Sequence, residues 1–198
     1  MKNNHRIIEL ENGNVFRISE DVFLFNPIAE GDEISESELN NILLKQTEKD
    51  IREAGLRLLK YRMRSKNELK TRLLKKGFSE IMVQNAIMWF ENLKFINDEE
   101  FAKCFAEEKV RNKKIGAMAL KSELFPHHLD EDLVDRVISK VYTDFPEEEL
   151  IRKHIQKKRL ADKKSLPEKD IKKISDFLKR KGFRWDTIRI VLSENGWV

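Results

Sequence analysis

Lys75-Lys76-Gly77-Phe78 returns further along the chain as Arg180-Lys181-Gly182-Phe183, and the apolar residues after each copy keep one register. Val83, Ala86 and Ile87 follow the first copy; Ile188, Val191 and Leu192 follow the second. Val134, Val137 and Ile138 supply a middle copy, so that Ile87, Ile138 and Leu192 recur after 51 and then 54 residues. Periods of this size are the signature of stacked helical units, which present a long surface and commonly bind something long.

Each unit reads as three helices. In the first, Ile51, Ala54, Leu58 and Tyr61 form one helical stripe. Gly55 within it is a poor helix former and points to a close helix contact. Ser65-Lys66-Asn67-Glu68 is a capping box that opens the second helix, with Leu69, Leu73 and Leu74 inward. Gly77 ends that helix, because a residue there must take a left-handed conformation that glycine adopts without a Cβ clash. Ser79 is the expected cap of the third helix, and Thr47 and Asp98 the expected caps of the first helices of units one and two. Gly116 stands where Ser65 stood, and Asp130 where Ser79 stood. His128 takes the place of the turn glycine, where a left-handed conformation is less comfortable. Phe145-Pro146 followed by Glu147, Glu148 and Glu149 predicts the start of the third unit, with Pro146 as its first helical residue. The link from Ala161 to Glu168 is longer than its counterparts.

Ahead of the repeats, Arg6–Leu10 and Val15–Ile18 read as strands around an Asn-Gly turn, and Val22–Phe25 as a third. Ser35-Glu36-Ser37-Glu38 opens a short helix. The expected fold is mainly α: three tandem three-helix repeats forming an elongated curved array, with a small N-terminal β-hairpin or sheet. The divisions fall at residues 1–46, 47–96, 97–144 and 145–198.

Residues 1–50 carry five Lys/Arg against eleven Asp/Glu, whereas residues 51–198 carry 34 against 24. The repeat region is therefore the part that attracts a polyanion. The one cysteine, Cys104, excludes an internal disulfide and reads as a structural thiol between Phe101 and Phe105. No apolar run reaches the length of a membrane span and no leader pattern opens the chain, so a cytoplasmic protein with no membrane partner is expected.

Arg62-Met63-Arg64-Ser65-Lys66-Asn67-Glu68-Leu69, followed by Leu73-Leu74-Lys75-Lys76-Gly77-Phe78, resembles the RecX family of RecA regulators. That family carries an Arg-x-Arg-Ser-x-x-Glu-Leu segment and then a Leu-x-x-Lys-Gly turn. Phe95-Ile96-Asn97-Asp98-Glu99-Glu100-Phe101-Ala102, then Arg111 and Gly116, is similar to its next block. Val15–Asp21 is similar to the extended head of some members. The likeness covers nearly the whole chain in the expected order. It implies a non-enzymatic monomer that binds RecA and the RecA filament on single-stranded DNA. Most members oppose filament growth, and so damp ATP hydrolysis, strand exchange and repressor cleavage. Weak direct DNA binding is compatible with it.

Three basic clusters are the candidate contacts with filament or DNA phosphate. The first holds Arg62, Arg64, Lys66, Lys70, Arg72, Lys75 and Lys76; the second Lys109, Arg111, Lys113 and Lys114; the third Arg152, Lys153, Lys157, Lys158 and Arg159. The competing reading is a set of solvated helix faces. If the units stack regularly, the clusters form one discontinuous strip, with Arg62 and Arg64 its foremost members. Trp89, Phe90, Phe95, Phe101 and Phe105 lie at core spacing; for Trp185 and Trp197 exposure and burial stay open. His127-His128 beside Asp130 lacks metal-ligand spacing, and no phosphate loop, nucleophile elbow or zinc signature is present. No cofactor, metal or catalytic residue is therefore assigned. The alternatives are a general DNA-binding helical repeat without a recombinase partner and, more remotely, a nuclease.

Overall fold

An antiparallel hairpin opens the chain. The computed structural model, which describes residues 5–160, 163 and 165–198, pairs β1 (His5–Glu9) with β2 (Val15–Ser19). The expected third strand is instead helix α1 (Glu20–Phe25). Ser19 caps it, its hydroxyl accepting from the Val22 N–H, and Glu20 and Asp21 fill the first turn, where the helix dipole favours carboxylates. The strand preference of Val22–Phe25 loses to that cap.

Helix α2 (Glu36–Tyr61) starts at the expected capping box: Ser35 Oγ accepts from the Glu38 N–H, and the Glu38 carboxylate accepts from the Ser35 N–H. It then runs unbroken for 26 residues. Thr47 is therefore not a cap; its hydroxyl donates to the Leu43 carbonyl at 2.8 Å, as a mid-helix threonine does. No Gly or Pro between Leu43 and Ile51 stops the helix, so the short leading helix and the first helix of the first repeat are one element.

The rest of the chain is α3 (Lys66–Leu74), α4 (Glu80–Asn92), α5 (Asp98–Lys113), α6 (Ala117–Leu124), α7 (Glu131–Asp144), α8 (Glu147–Lys157), α9 (Glu168–Arg180) and α10 (Trp185–Glu194). These are three tandem three-helix repeats, the first taking its leading helix from the end of α2. Ala161, Asp162 and Lys164 of the expected long link lie outside the described residues.

Packing divides the chain into two units, and the division runs through α3. One unit holds the residues up to Arg62 together with Leu69–Phe95; the other holds Met63–Glu68 together with Ile96–Val198. In the first unit, Ile18, Val22 and Ile42 form a small core between the hairpin and α2. Buried Gln46 ties the two, its side-chain oxygen accepting from the Ser19 N–H at 2.7 Å. Val83, Ala86, Ile87 and Phe90 of α4 are buried as their spacing predicts. Gly55 meets the Phe90 ring so closely that an added Cβ would lie 2.3 Å from Cζ. Ser79 occupies the cap position of α4 with no side-chain cap bond.

The second unit has one continuous core, from Ala102, Ala106 and Val110 of α5 through Leu120, Leu124 and Val137 to Ile151, Leu178, Phe183 and Val191. Cys104 is exposed rather than structural. It sits about 160° around α5 from Ala102 and Ala106, which form the buried stripe. Asn97, not Asp98, caps α5, accepting from the Glu99 and Glu100 N–H groups. Pro146 stands at the cap of α8 rather than inside its first turn. Trp197 is buried and donates its indole N–H to the Lys163 carbonyl, while Trp185 is exposed beneath the Lys179 ammonium.

Candidate functional site

The repeat grammar explains how the second unit holds its helices in place. Each second helix begins with backbone N–H groups that have no partner within the helix. At α6 they are satisfied by the third repeat. The Gly116 N–H donates to the Lys181 carbonyl at 2.9 Å, Met118 to the Gly182 carbonyl at 3.2 Å, and Ala117 to Glu147 Oε1 at 2.7 Å. At α3 the same places are filled differently. Ser65 Oγ accepts from the Glu68 N–H and donates to the His127 carbonyl, both at 3.2 Å, and the Lys66 N–H donates to Asp98 Oδ1 at 2.8 Å. Asp98 and Glu147 are each the first residue of the helix that follows in the next repeat, so one carboxylate per joint serves as a remote helix cap. Burial raises the Glu147 carboxyl above its ordinary range, and the bond from Ala117 acts in the opposite direction. His128 adopts the left-handed conformation of the glycine it replaces, φ 48° against 85° at Gly182. The middle turn thus survives without glycine.

The joints decide which basic residues face outward. In the first cluster, Arg64 is 7 % exposed and ion-paired with Glu68 at the start of α3, so its guanidinium is committed internally. Lys70 pairs with Glu80 at 3.0 Å. Arg62, Arg72, Lys75 and Lys76 are exposed, and Lys66 is half-buried at the first position of α3. In the second cluster, Lys109 and Lys113 share Glu123 at 2.7 and 2.5 Å, and hold its carboxyl below the usual range. Arg111 pairs with Glu107 and lies over the Phe145 ring. In the third, Arg152 makes two bonds to Glu194, while Lys153, Lys157, Lys158 and Arg159 are exposed without an ion pair to any described residue.

The second and third clusters meet at one pocket. Lys113 and Lys114 at the end of α5, Lys153, Lys157 and Lys158 of α8, and Lys181 after α9 line it, with Asn112, His154 and Phe177. Lys114 ends α5 in a left-handed conformation, φ 48°. Buried His154 reaches its carbonyl, with Nε2 to O at 2.7 Å. Burial, and then the neighbouring Lys181, Lys114 and Lys157 charges, lower the His154 pKa against the opposing effect of that bond. Sequence reasoning read Lys181 only as part of a turn and gave His154 no role. The signal for both is the repeat itself, which brings the Lys-Gly-Phe turn against the preceding unit. Among the described residues, no group of three or more His, Cys, Asp or Glu side chains could hold a metal. No described helix is long and apolar enough to cross a membrane.

Three family models match the chain in order: RecX first three-helix domain at residues 52–88, second at 97–138 and third at 146–192. The chain is 26% identical over 178 residues to the regulatory protein RecX of Caldanaerobacter subterraneus subsp. tengcongensis, covering 90% of this chain and 87% of that one. It is 28% identical over 195 residues to the regulatory protein RecX of Bacillus subtilis, covering 98% and 73%. A crystal structure of regulatory protein RecX superposes with a TM-score of 0.73 at 18% identity, covering 96% of this chain and 98% of that one. That of RecX from Lactobacillus salivarius gives 0.68 at 22% identity, covering 75% and 96%. Both likenesses concern the fold.

Proposed function

Because this chain belongs to the RecX family of regulatory proteins, we propose that it binds the RecA recombinase and its filament on single-stranded DNA and inhibits it. ATP hydrolysis, strand exchange and repressor cleavage are the activities damped. The observation that carries this reading is the match of all three repeat domains, in order. The basic balance of residues 51–198 supports it, since a filament on DNA is a polyanion. The protein acts as a cytoplasmic monomer through binding alone, with no catalytic step and no cofactor.

The contacts lie on the exposed cations: Arg62, Arg72, Lys75 and Lys76 from the first cluster, and the lysines of the pocket from the other two. Arg64 holds the start of α3 for them. Adding the protein to RecA on single-stranded DNA is expected to lower the ATPase rate, with the protein co-sedimenting with filaments. An unchanged rate without co-sedimentation would reject the reading. A general DNA-binding repeat is the second reading, favoured by the lysine pocket. It requires tight, steeply salt-dependent binding to DNA alone and no effect that depends on the recombinase.

A further inference from the structure

Several cations of the second unit sit against a carboxylate: Lys109 and Lys113 on Glu123, Arg152 on Glu194, Lys121 on Asp135. The pocket between α5, α8 and the turn after α9 gathers cations differently. Six lysines line it and, among the described residues, no carboxylate does. Of the six, only Lys113 has an ion pair with a described residue. We propose that this pocket is a phosphate-binding site that takes a backbone phosphate of single-stranded DNA. The choice of single strand over other polyanions rests on the recombinase-filament reading.

The pocket is built as well as charged. Lys158 Nζ lies 4.3 Å from the centroid of the Phe177 ring and Lys181 Nζ 6.0 Å from it, so the ring's π system engages two ammonium groups of the pocket. His154 stands edge-on to the same ring, centroids 5.3 Å apart, and engages the Lys114 carbonyl. That bond occupies an acceptor at the pocket wall that would otherwise repel an anion. The volume, about 600 Å³, suits a phosphate carried on a nucleotide unit rather than a bare inorganic ion. Lysine binds phosphate as a point charge, and several ammonium groups on one pocket suit a strongly anionic phosphate backbone. No arginine lines the pocket, and Arg111 and Arg152 outside it are tied to Glu107 and Glu194.

The test uses the full chain without recombinase, titrated onto a fluorescent oligothymidylate between 50 and 200 mM salt. Replacing Lys157, Lys158 and Lys181 together by Gln is expected to weaken binding at least about tenfold at the low-salt end. The slope of log affinity against log salt falls by roughly 0.7 for each phosphate that is no longer neutralised. A control carrying Lys121→Gln and Lys173→Gln, both ion-paired elsewhere, is expected to bind within about twofold of the parent. The Arg versions of the three pocket lysines keep the charge and are expected to keep the affinity. Binding by the Gln triple variant with unchanged affinity and slope overturns the proposal. So does an equal loss in the control, or a loss in the Arg versions. A duplex of the same length held as tightly as the single strand overturns the single-strand assignment, and equal competition by inorganic phosphate overturns the polymer. The titration contains no recombinase, so a pocket-dependent DNA affinity beside an unchanged rate in the separate RecA ATPase assay rejects the recombinase reading and leaves the pocket standing.

Discussion

The Ser65 joint and the Gly116 joint answer one requirement with opposite chemistry. Both must satisfy the first N–H groups of a second helix while the turn of the next repeat comes against it. At Ser65 a hydroxyl does this from within, beside the buried Arg64–Glu68 ion pair. At Gly116 the cap residue has no side chain, and carbonyls of the Lys181-Gly182 turn reach the helix directly, beside the remote Glu147 carboxylate. The counterparts of Arg64 and Glu68, by the 51-residue step, are buried Ile115 and half-buried Ala119. The polar joint has room for a side chain; the apolar one has none. An added Cβ on Gly116 would lie 2.4 Å from the Gly182 carbonyl oxygen. The turn glycines of repeats one and three, identical in sequence, therefore do different jobs.

The largest expected effect follows from that. Gly182→Ala sets a left-handed alanine, costing about 1–2 kcal/mol, and drives its Cβ to 2.3 Å from the Ala119 backbone nitrogen. Overpacking of that kind adds about 1–3 kcal/mol. Gly77→Ala meets nothing within 4 Å and bears only the conformational cost. Urea unfolding of the two variants should therefore show Gly182→Ala losing at least about twice what Gly77→Ala loses. Equal losses would mean that the close backbone approach yields cheaply.

The ion pair gives the next test. Arg64→Ala removes the buried guanidinium from the partly buried Glu68 carboxylate, and a loss of about 3 kcal/mol is expected. Arg64→Ile with Glu68→Ala rebuilds the Ile115–Ala119 arrangement and should recover most of it, because an apolar replacement of both partners is often neutral. Arg62→Ala, at an exposed residue, should cost less than about 1 kcal/mol. If the double variant is no better than Arg64→Ala, the two joints are not interchangeable. Weaker filament binding by an Arg62 and Arg64 double variant would accordingly reflect a destabilised α3 as much as a missing cation.

What the sequence made legible was whatever local chemistry settles. The left-handed turns at Gly77 and Gly182, the Ser35 box and the stripe Val83, Ala86, Ile87 needed only neighbours within a few positions. Val22–Phe25 was misread because its propensity competed with a cap at Ser19, and Thr47 because a good cap residue also tolerates a helix interior. The candidate site was harder. Arg64, Arg152 and Lys113 look alike as exposed cations, yet the partners that occupy them stand 4, 42 and 10 residues away. Lys181 joins the pocket only through the turn of another repeat, and His154 meets a carbonyl 40 residues distant. Basic residues can be counted from sequence, but which of them remain uncompensated is a tertiary property.

The smallest expected effect tests whether the Gly116 side of the unit, with His154 wedged on Lys114, answers to pH. Burial lowers the His154 pKa first, and the Lys181, Lys114 and Lys157 charges add to it; the bond to the Lys114 carbonyl opposes them. The unfolded chain takes up the proton near the ordinary histidine value, about 6.5, before the folded chain does. Below that value the unfolded state binds more protons, so stability must fall as pH falls. The contribution of neutral His154 is complete above about pH 6.5 and is lost on the way down to the depressed folded-state value. Glu147 runs the other way, since its raised pKa makes stability fall as pH rises through its titration, and it does so in the parent and in a His154 variant alike. His154→Gln keeps a donor for the Lys114 carbonyl and removes the titration. Between pH 8 and pH 5.5 the parent should therefore lose more in melting temperature than the variant loses. Parallel losses in the two proteins would show that the proton goes elsewhere, and that the imidazole holds the carbonyl in either charge state.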